Sequence, residues 1–231
     1  KNIALRKRPY MVHEGIECLK PIDKSADIMD ISAQGYSFPS GHAANSLVLM
    51  GSISNYVKKR WLTILSAVLV LLCGVSRFCL GVHYPTDVLC GWLLGLVIIF
   101  AVPWLQSKFR NPRLFYGLLL LITLPGFFYC KTADYFTAMG LLIGFMGGTL
   151  LEDRCVRFEN TRKPLWMAVR VLGGLAIYLV LSTLLKLPFS KEFLSSGTTA
   201  ALLVRCARYA VIAFVGFGVY PMLFRFEKKG N

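Results

Sequence analysis

The sequence predicts an all-α protein, a polytopic transmembrane helical bundle of about seven membrane helices. Hydrophobic residues make up 55% of the 231-residue chain and charged residues only 16%, and the mean hydropathy is +0.57. A soluble domain of this size needs a more polar surface. The apolar residues are gathered into runs near membrane length, and most of the basic residues lie between them. The formal charge of +14 therefore reads as membrane topology and phosphate binding rather than nucleic-acid binding, for which the sequence carries no motif.

A bilayer core about 30 Å thick takes roughly 20 apolar residues as helix, with about 17 as a lower limit. The runs that approach this length are 42–57, 61–80, 87–105, 114–130, 135–151, 164–186 and 200–224. Residues 10–38 are mixed and polar, with Asp23, Asp27 and Asp30, and read as an extramembrane loop with room for one short interfacial helix. Gly140, Gly144 and Gly148 form a GxxxGxxxG row on the fifth run; small residues at that spacing admit a close helix neighbour, and packing within the chain is favoured over dimerisation. Arg205 and Arg208 on the seventh run read as headgroup-directed side chains, with contact to a second phosphate or an acidic loop residue as the other reading. The seven cysteines are scattered and form no CxxC pair.

The loops set an orientation. Lys58, Lys59 and Arg60 follow the first run, Lys108, Arg110 and Arg113 the third, Arg154, Arg157, Arg162 and Lys163 the fifth, and Arg225, Lys228 and Lys229 the last. These segments alternate correctly to share one side, while the opposite loops after the fourth and sixth runs hold only Lys131, Lys186 and Lys191. The positive-inside rule makes the richer set cytoplasmic.

Three polar segments fall on the other side. Ser76-Arg77 and His83-x3-Asp87 close the second run and open the third. Ionisable groups at a membrane boundary cost free energy and usually have a function. An arginine fork holds phosphate oxygens, a histidine nitrogen attacks phosphorus, and a carboxylate four residues on orients the ring. Pro85 suits the first turn of a helix, which puts Asp87 near a helix start. Pro39-Ser40-Gly41-His42 precedes the first run. A helix start offers amides and a positive dipole end to an anion, and glycine admits close approach; alternatively, Ser40 is simply a helix cap. Lys1 and Arg8-Pro9 stand upstream.

The order Lys-x6-Arg-Pro, Pro-Ser-Gly-His, Ser-Arg-x5-His-x3-Asp resembles the three-part signature of the type 2 phosphatidic acid phosphatase superfamily, in which lipid phosphate phosphatases and vanadium haloperoxidases share one site geometry. All eleven positions match, within residues 1 to about 105. The resemblance implies that His83 is the nucleophile, forming a phosphohistidine, that Asp87 assists it, and that His42 protonates the leaving oxygen. Lys1, Arg8, Ser40, Gly41 and Arg77 would bind the substrate phosphate. It implies no metal or other cofactor, and the sequence has no HExxH or clustered acid–histidine set. Arg6, Lys7 and His13 match no signature position and read as solvated, the two cations with weak contacts to anionic lipid at most.

The expectation is a phosphatase core over 1–105 and additional C-terminal transmembrane helices over 106–231, in an integral protein of the cell (inner) membrane whose site faces the periplasm or exterior. Its partners are a lipid phosphate substrate and the bilayer, not nucleic acid. Because such proteins carry helices before the signature, the chain reads as N-terminally incomplete. Alternatives are a lipid phosphotransferase using the same intermediate, or a non-enzymatic lipid transporter or scaffold with a relic site.

Overall fold

A computed structural model describes residues 4–23, 26–157, 161 and 163–229, without the side chains of 32, 112 and 225–229. Lys1 and Arg162 lie outside the described residues. The structure is all-helical and divides into two compact units, Lys1–Arg110 and Asn111–Asn231.

The first unit is built on three long helices, α1 (Gly41–Val57), α2 (Arg60–Cys79) and α3 (Pro85–Lys108). Ser40 caps α1, its hydroxyl accepting the Ala43 N–H at 3.5 Å, and Lys58 ends the helix in the left-handed region at φ 53°. The chain then reverses into α2. Gly81, at φ +72°, turns it again; a Cβ there would collide with the Glu17 carbonyl, so the position needs glycine for both conformation and space. Extended Tyr84 and Pro85 at the first helical position start α3. As a result the start of α1, the end of α2 and the start of α3 share one end of the unit. The Lys58–Arg60 turn and the end of α3 lie at the other, about 25 Å away by helix rise. Among the described residues before α1, the helical segments are two single turns, Pro9–Met11 and Ile31–Gln34, in keeping with a loop.

α1 and α3 meet through small residues. A Cβ on Gly91 would stand 2.6 Å from the Ser40 carbonyl oxygen, and one on Gly95 3.2 Å from that of Ala44. The obstacles are backbone atoms, which cannot swing aside. Gly91→Ala is therefore expected to push α3 off the first turn of α1 and lower the melting temperature of the detergent-solubilised protein, with Gly91→Leu worse. Gly41→Ala has open space above it and should melt nearly as wild type does.

The second unit contains α4 (Pro112–Thr123), α5 (Ala133–Leu151), α6 (Pro164–Leu184) and α7 (Thr199–Phe214). The glycine row packs within the unit: a Cβ on Gly140 or Gly144 would collide with the Cys206 or Ala210 carbonyl, and Gly148 lies against Phe217 and Gly218. Phe136, Met139, Leu202 and Cys206 form the buried core beside this seam. The fourth run does not continue as one helix. It breaks after Thr123 and resumes as a single turn, Gly126–Tyr129. Pro125 has no N–H to donate, while the Tyr135 ring presses on Gly126 and its hydroxyl donates to the Thr123 carbonyl at 2.5 Å. α7 runs on through a wide turn, Val215–Val219.

Among the described residues, five helices are long and apolar enough to cross a membrane: Arg60–Cys79, Pro85–Lys108, Ala133–Val156, Pro164–Leu184 and Thr199–Phe224. The first and fourth predicted spans are shorter, α1 having 17 residues and the fourth being broken. Arg208 does not reach out to headgroups. It is 8% exposed, and its Nη2 donates to the Ser182 carbonyl in the last turn of α6 at 3.4 Å. There it supplies a donor to a helix end that has run out of its own.

Candidate active site

Hydrogen bonds to backbone carbonyls fasten the three signature segments together. Arg8 Nη1 donates to the Val82 carbonyl at 2.9 Å, and the Ser40 N–H donates to the Asp87 carbonyl at 3.0 Å. The Cys73 thiol reaches the His42 carbonyl at 3.7 Å, joining the start of α1 to the last third of α2.

Asp87 is fully buried in the first turn of α3. Its Oδ2 accepts the Tyr84 N–H at 2.9 Å, the reach-back bond of a capping box, and lies 3.5 Å from His83 Nδ1. Its Oδ1 accepts from Arg6 Nη1 at 2.9 Å. Both carboxylate oxygens are thus fixed, and one of them faces the histidine. His83 is 4% exposed. With Nδ1 turned to the carboxylate, the proton is favoured on that nitrogen, and the lone pair is left on Nε2.

Arg6 corrects the expectation of a solvated side chain. Besides Asp87 it donates to Thr86 Oγ1 at 2.7 Å, and its guanidinium lies 3.9 Å over the Tyr84 ring. His13 is exposed, as expected, but meets the same ring edge-on, with centroids 5.9 Å apart. Arg6 holds no signature position, and a partner 81 residues away left no local pattern by which the sequence could have marked it.

Arg8 is 1% exposed. Nε donates to the Gln34 and Gly35 carbonyls, both at 3.0 Å, and Nη1 to Val82, while Nη2 is buried without a hydrogen-bond partner among the described residues. Burial lowers the guanidinium from its ordinary pKa, against the opposing charge of Asp87; an arginine stays protonated nonetheless. Beside it, burial pushes the Tyr10 hydroxyl up to about 12. Gln34, fully buried, accepts the Ile22 N–H at 2.8 Å and donates to the Asp23 carbonyl at 2.8 Å. Ser37, also fully buried, donates to the Lys7 carbonyl at 3.1 Å. Neither residue carried a sequence signal, and together they hold the loop around Arg8.

Ser40 is fully buried, Gly41 has open space above its Cα, and His42 is exposed on the first turn of α1. Arg77 is half-buried in the last turn of α2, its Nε and Nη2 on Ser76 Oγ at 3.1 and 3.0 Å. The site therefore places a buried carboxylate–imidazole pair at the same end of the unit as an open helix start and two arginines. Among the described residues, no group of three or more His, Cys, Asp or Glu could hold a metal ion.

Residues 1–111 match the PAP2 superfamily, and residues 136–230 match the PAP2 superfamily phosphatase transmembrane extension. The chain belongs to the PAP2 superfamily. It is an integral membrane protein, and the matched extension takes in most of α5 and all of α6 and α7. It is 34% identical over 92 residues to phosphatidylglycerophosphatase B of Bacillus subtilis (strain 168), covering 36% of this chain and 45% of that one. It is 40% identical over 73 residues to undecaprenyl-diphosphatase of Sulfolobus acidocaldarius, covering 31% and 34%. It is 39% identical over 61 residues to lipid A 4'-phosphatase of Bacteroides thetaiotaomicron, covering 26% and 27%. The matched part spans less than half the length of these curated PAP2 relatives. No solved structure matches the chain.

Proposed function

We propose that this protein hydrolyses the phosphomonoester, or the terminal phosphate of a diphosphate, on a membrane lipid. The observation that carries this reading is the buried His83–Asp87 pair, held at 3.5 Å beside the Ser40–His42 helix start. His83 Nε2 attacks phosphorus, the bond to the lipid oxygen breaks, and His42 gives that oxygen a proton. Water then attacks the phosphohistidine, His42 takes its proton, the P–N bond breaks and orthophosphate leaves. Lys1, Arg8 through its remaining Nη2, Arg77, the Ser40 hydroxyl and the Gly41 amide hold the phosphoryl oxygens. The relatives' names point to amphiphilic phosphates as a class. A membrane-boundary site suits these, because the tail stays in the bilayer while the headgroup enters. The basic loops support a site facing the periplasm or exterior, with residues 1–105 as the catalytic part and the remaining helices around it.

The test is phosphate release from phosphatidate, prenyl diphosphate and sphingoid phosphate by the full-length protein with excess chelator. Turnover that survives the chelator and is inhibited by vanadate supports the reading. A strict Mg²⁺ requirement, or phosphate appearing only on an added lipid alcohol, overturns it. Modification of Cys18 by a thiol reagent applied only from the cytoplasmic side would overturn the orientation.

Arg6 enters as a positioning residue that holds Asp87 and, through it, the His83 ring. Arg6→Ala should lower kcat about tenfold, as loss of such supporting bonds commonly does, and leave KM nearly unchanged. Arg6→Lys should recover part of the loss. Equal falls in kcat for the Ala and Lys variants would count against this role.

A further inference from the structure

Away from the histidines, the same three helices form an apolar groove that the phosphoryl chemistry does not use. α2 and α3 each pack along α1 but touch one another little, leaving a cleft of about 980 Å³. That is at the upper end of ordinary ligand sites, ~300–1,000 Å³. Leu47 and Gly51 of α1 form its floor, Ala67 and Leu71 of α2 one wall, and Leu96 and Phe100 of α3 the other. Its lining ends near Val70 and Trp92 and includes neither His42, Arg77 nor His83.

Two features indicate the occupant. The first is inside the cleft. Ser66 lines it, is 4% exposed, and its hydroxyl has no hydrogen-bond partner among the described residues. Serines within helices commonly donate to a carbonyl three or four residues back, as Ser46 and Ser76 do here; Ser66 does not. The indole N–H of Trp92, also on the lining, is likewise buried and without a hydrogen-bond partner among the described residues. In a bilayer such donors are costly until an acceptor reaches them. The second feature is at the mouth. Lys58 and Arg60 line it and are exposed, with Lys59 between them, and none of the three forms an ion pair among the described residues. Six residues of helix, about 9 Å, separate Arg60 from Ser66, a distance that a lipid headgroup and glycerol cover.

We propose that this groove binds an anionic phospholipid of the leaflet opposite the histidine site. Its phosphate lies against Lys58 and Arg60, an ester carbonyl accepts from Ser66, and an acyl chain runs between α2 and α3 toward Trp92. The proposal stands independently of the phosphatase reading, because no residue of the phosphoryl site takes part.

The test uses the full-length protein, delipidated and reloaded with phosphatidylglycerol or phosphatidylcholine, with retained lipid counted by native mass spectrometry. Wild type should keep phosphatidylglycerol through detergent exchange in preference to phosphatidylcholine. Lys58→Ala/Arg60→Ala, which changes only exposed side chains, should weaken phosphatidylglycerol retention by about fivefold per cation. Ala67→Trp, which fills the groove, should remove both lipids, with light scattering and melting run alongside. Equal retention of the two lipids, or retention unchanged in both variants, would overturn the proposal. So would a particle mass that halves in Ala67→Trp, which would place a second copy of the chain in the groove.

Discussion

His83→Ala should abolish phosphate release from lipid phosphates, by about 10,000-fold or more, the scale at which loss of a covalent nucleophile is felt. The reason is geometric. Asp87 presents Oδ2 to His83 Nδ1 at 3.5 Å while the Tyr84 amide and Arg6 hold its position. Water has no comparable support for direct attack. The variant should still fold, since the Arg8–Val82 and Ser40–Asp87 bonds that join the segments use backbone carbonyls and do not involve the imidazole. Asp87→Asn should fall between the two, because an amide can turn its NH₂ to the ring and favour the wrong tautomer. Phosphate release measured against circular dichroism checks both variants. Wild-type rates for His83→Ala would end the mechanism.

Arg8→Met should cost about 3–5 kcal/mol, the range for breaking a buried charged hydrogen-bond network. It should also abolish activity even where the helices survive. Arg8 Nε and Nη1 satisfy three backbone carbonyls, those of Gln34, Gly35 and Val82. Methionine fills much of the volume and satisfies none of them. Each orphaned carbonyl costs about 1–3 kcal/mol, and the bond lost to Val82 is one of those that join the segments. The melting temperature should drop, and limited proteolysis should cut within residues 15–36 first. Arg8→Lys should recover stability only in part, since one ammonium cannot reproduce a planar fork. A variant that loses activity but melts as wild type does would make Arg8 a phosphate ligand alone.

The helices were legible because a single apolar run of membrane length satisfies its backbone within itself only as a helix. Each of the seven predicted runs corresponds to one of the helices α1–α7, five of which, among the described residues, belong to helices long and apolar enough to cross a membrane; the fourth stops at Thr123 and the seventh leaves the α-helix at Phe214. The break after Thr123 comes from Pro125 together with Tyr135, and only the proline is visible in sequence. Gly91 and Gly95 repeat the small-residue spacing of the row on α5 and are legible in the same way. Arg6 is a different case. Its partner lies 81 residues away, and no local pattern reports a contact of that separation. Gln34 and Ser37 are unreadable for the same reason: a buried polar residue in a loop looks like any other loop residue until its partners are in place. Arg208 reads as a snorkelling side chain because the sequence places it on an apolar helix but does not show that α6 ends beside it. The signature residues were legible as a set, while the bonds that join them, Arg8 to Val82 and Ser40 to Asp87, required the fold.

The central claim is that the phosphoryl group passes through His83. The most direct measurement is rapid quench of the full-length protein turning over a ³²P-labelled lipid phosphate, followed by peptide mapping under alkaline conditions. The account predicts acid-labile, alkali-stable label on the peptide containing His83, formed before phosphate release and absent from His83→Ala. Label on another residue, or turnover with no covalent label at any quench time, would contradict it.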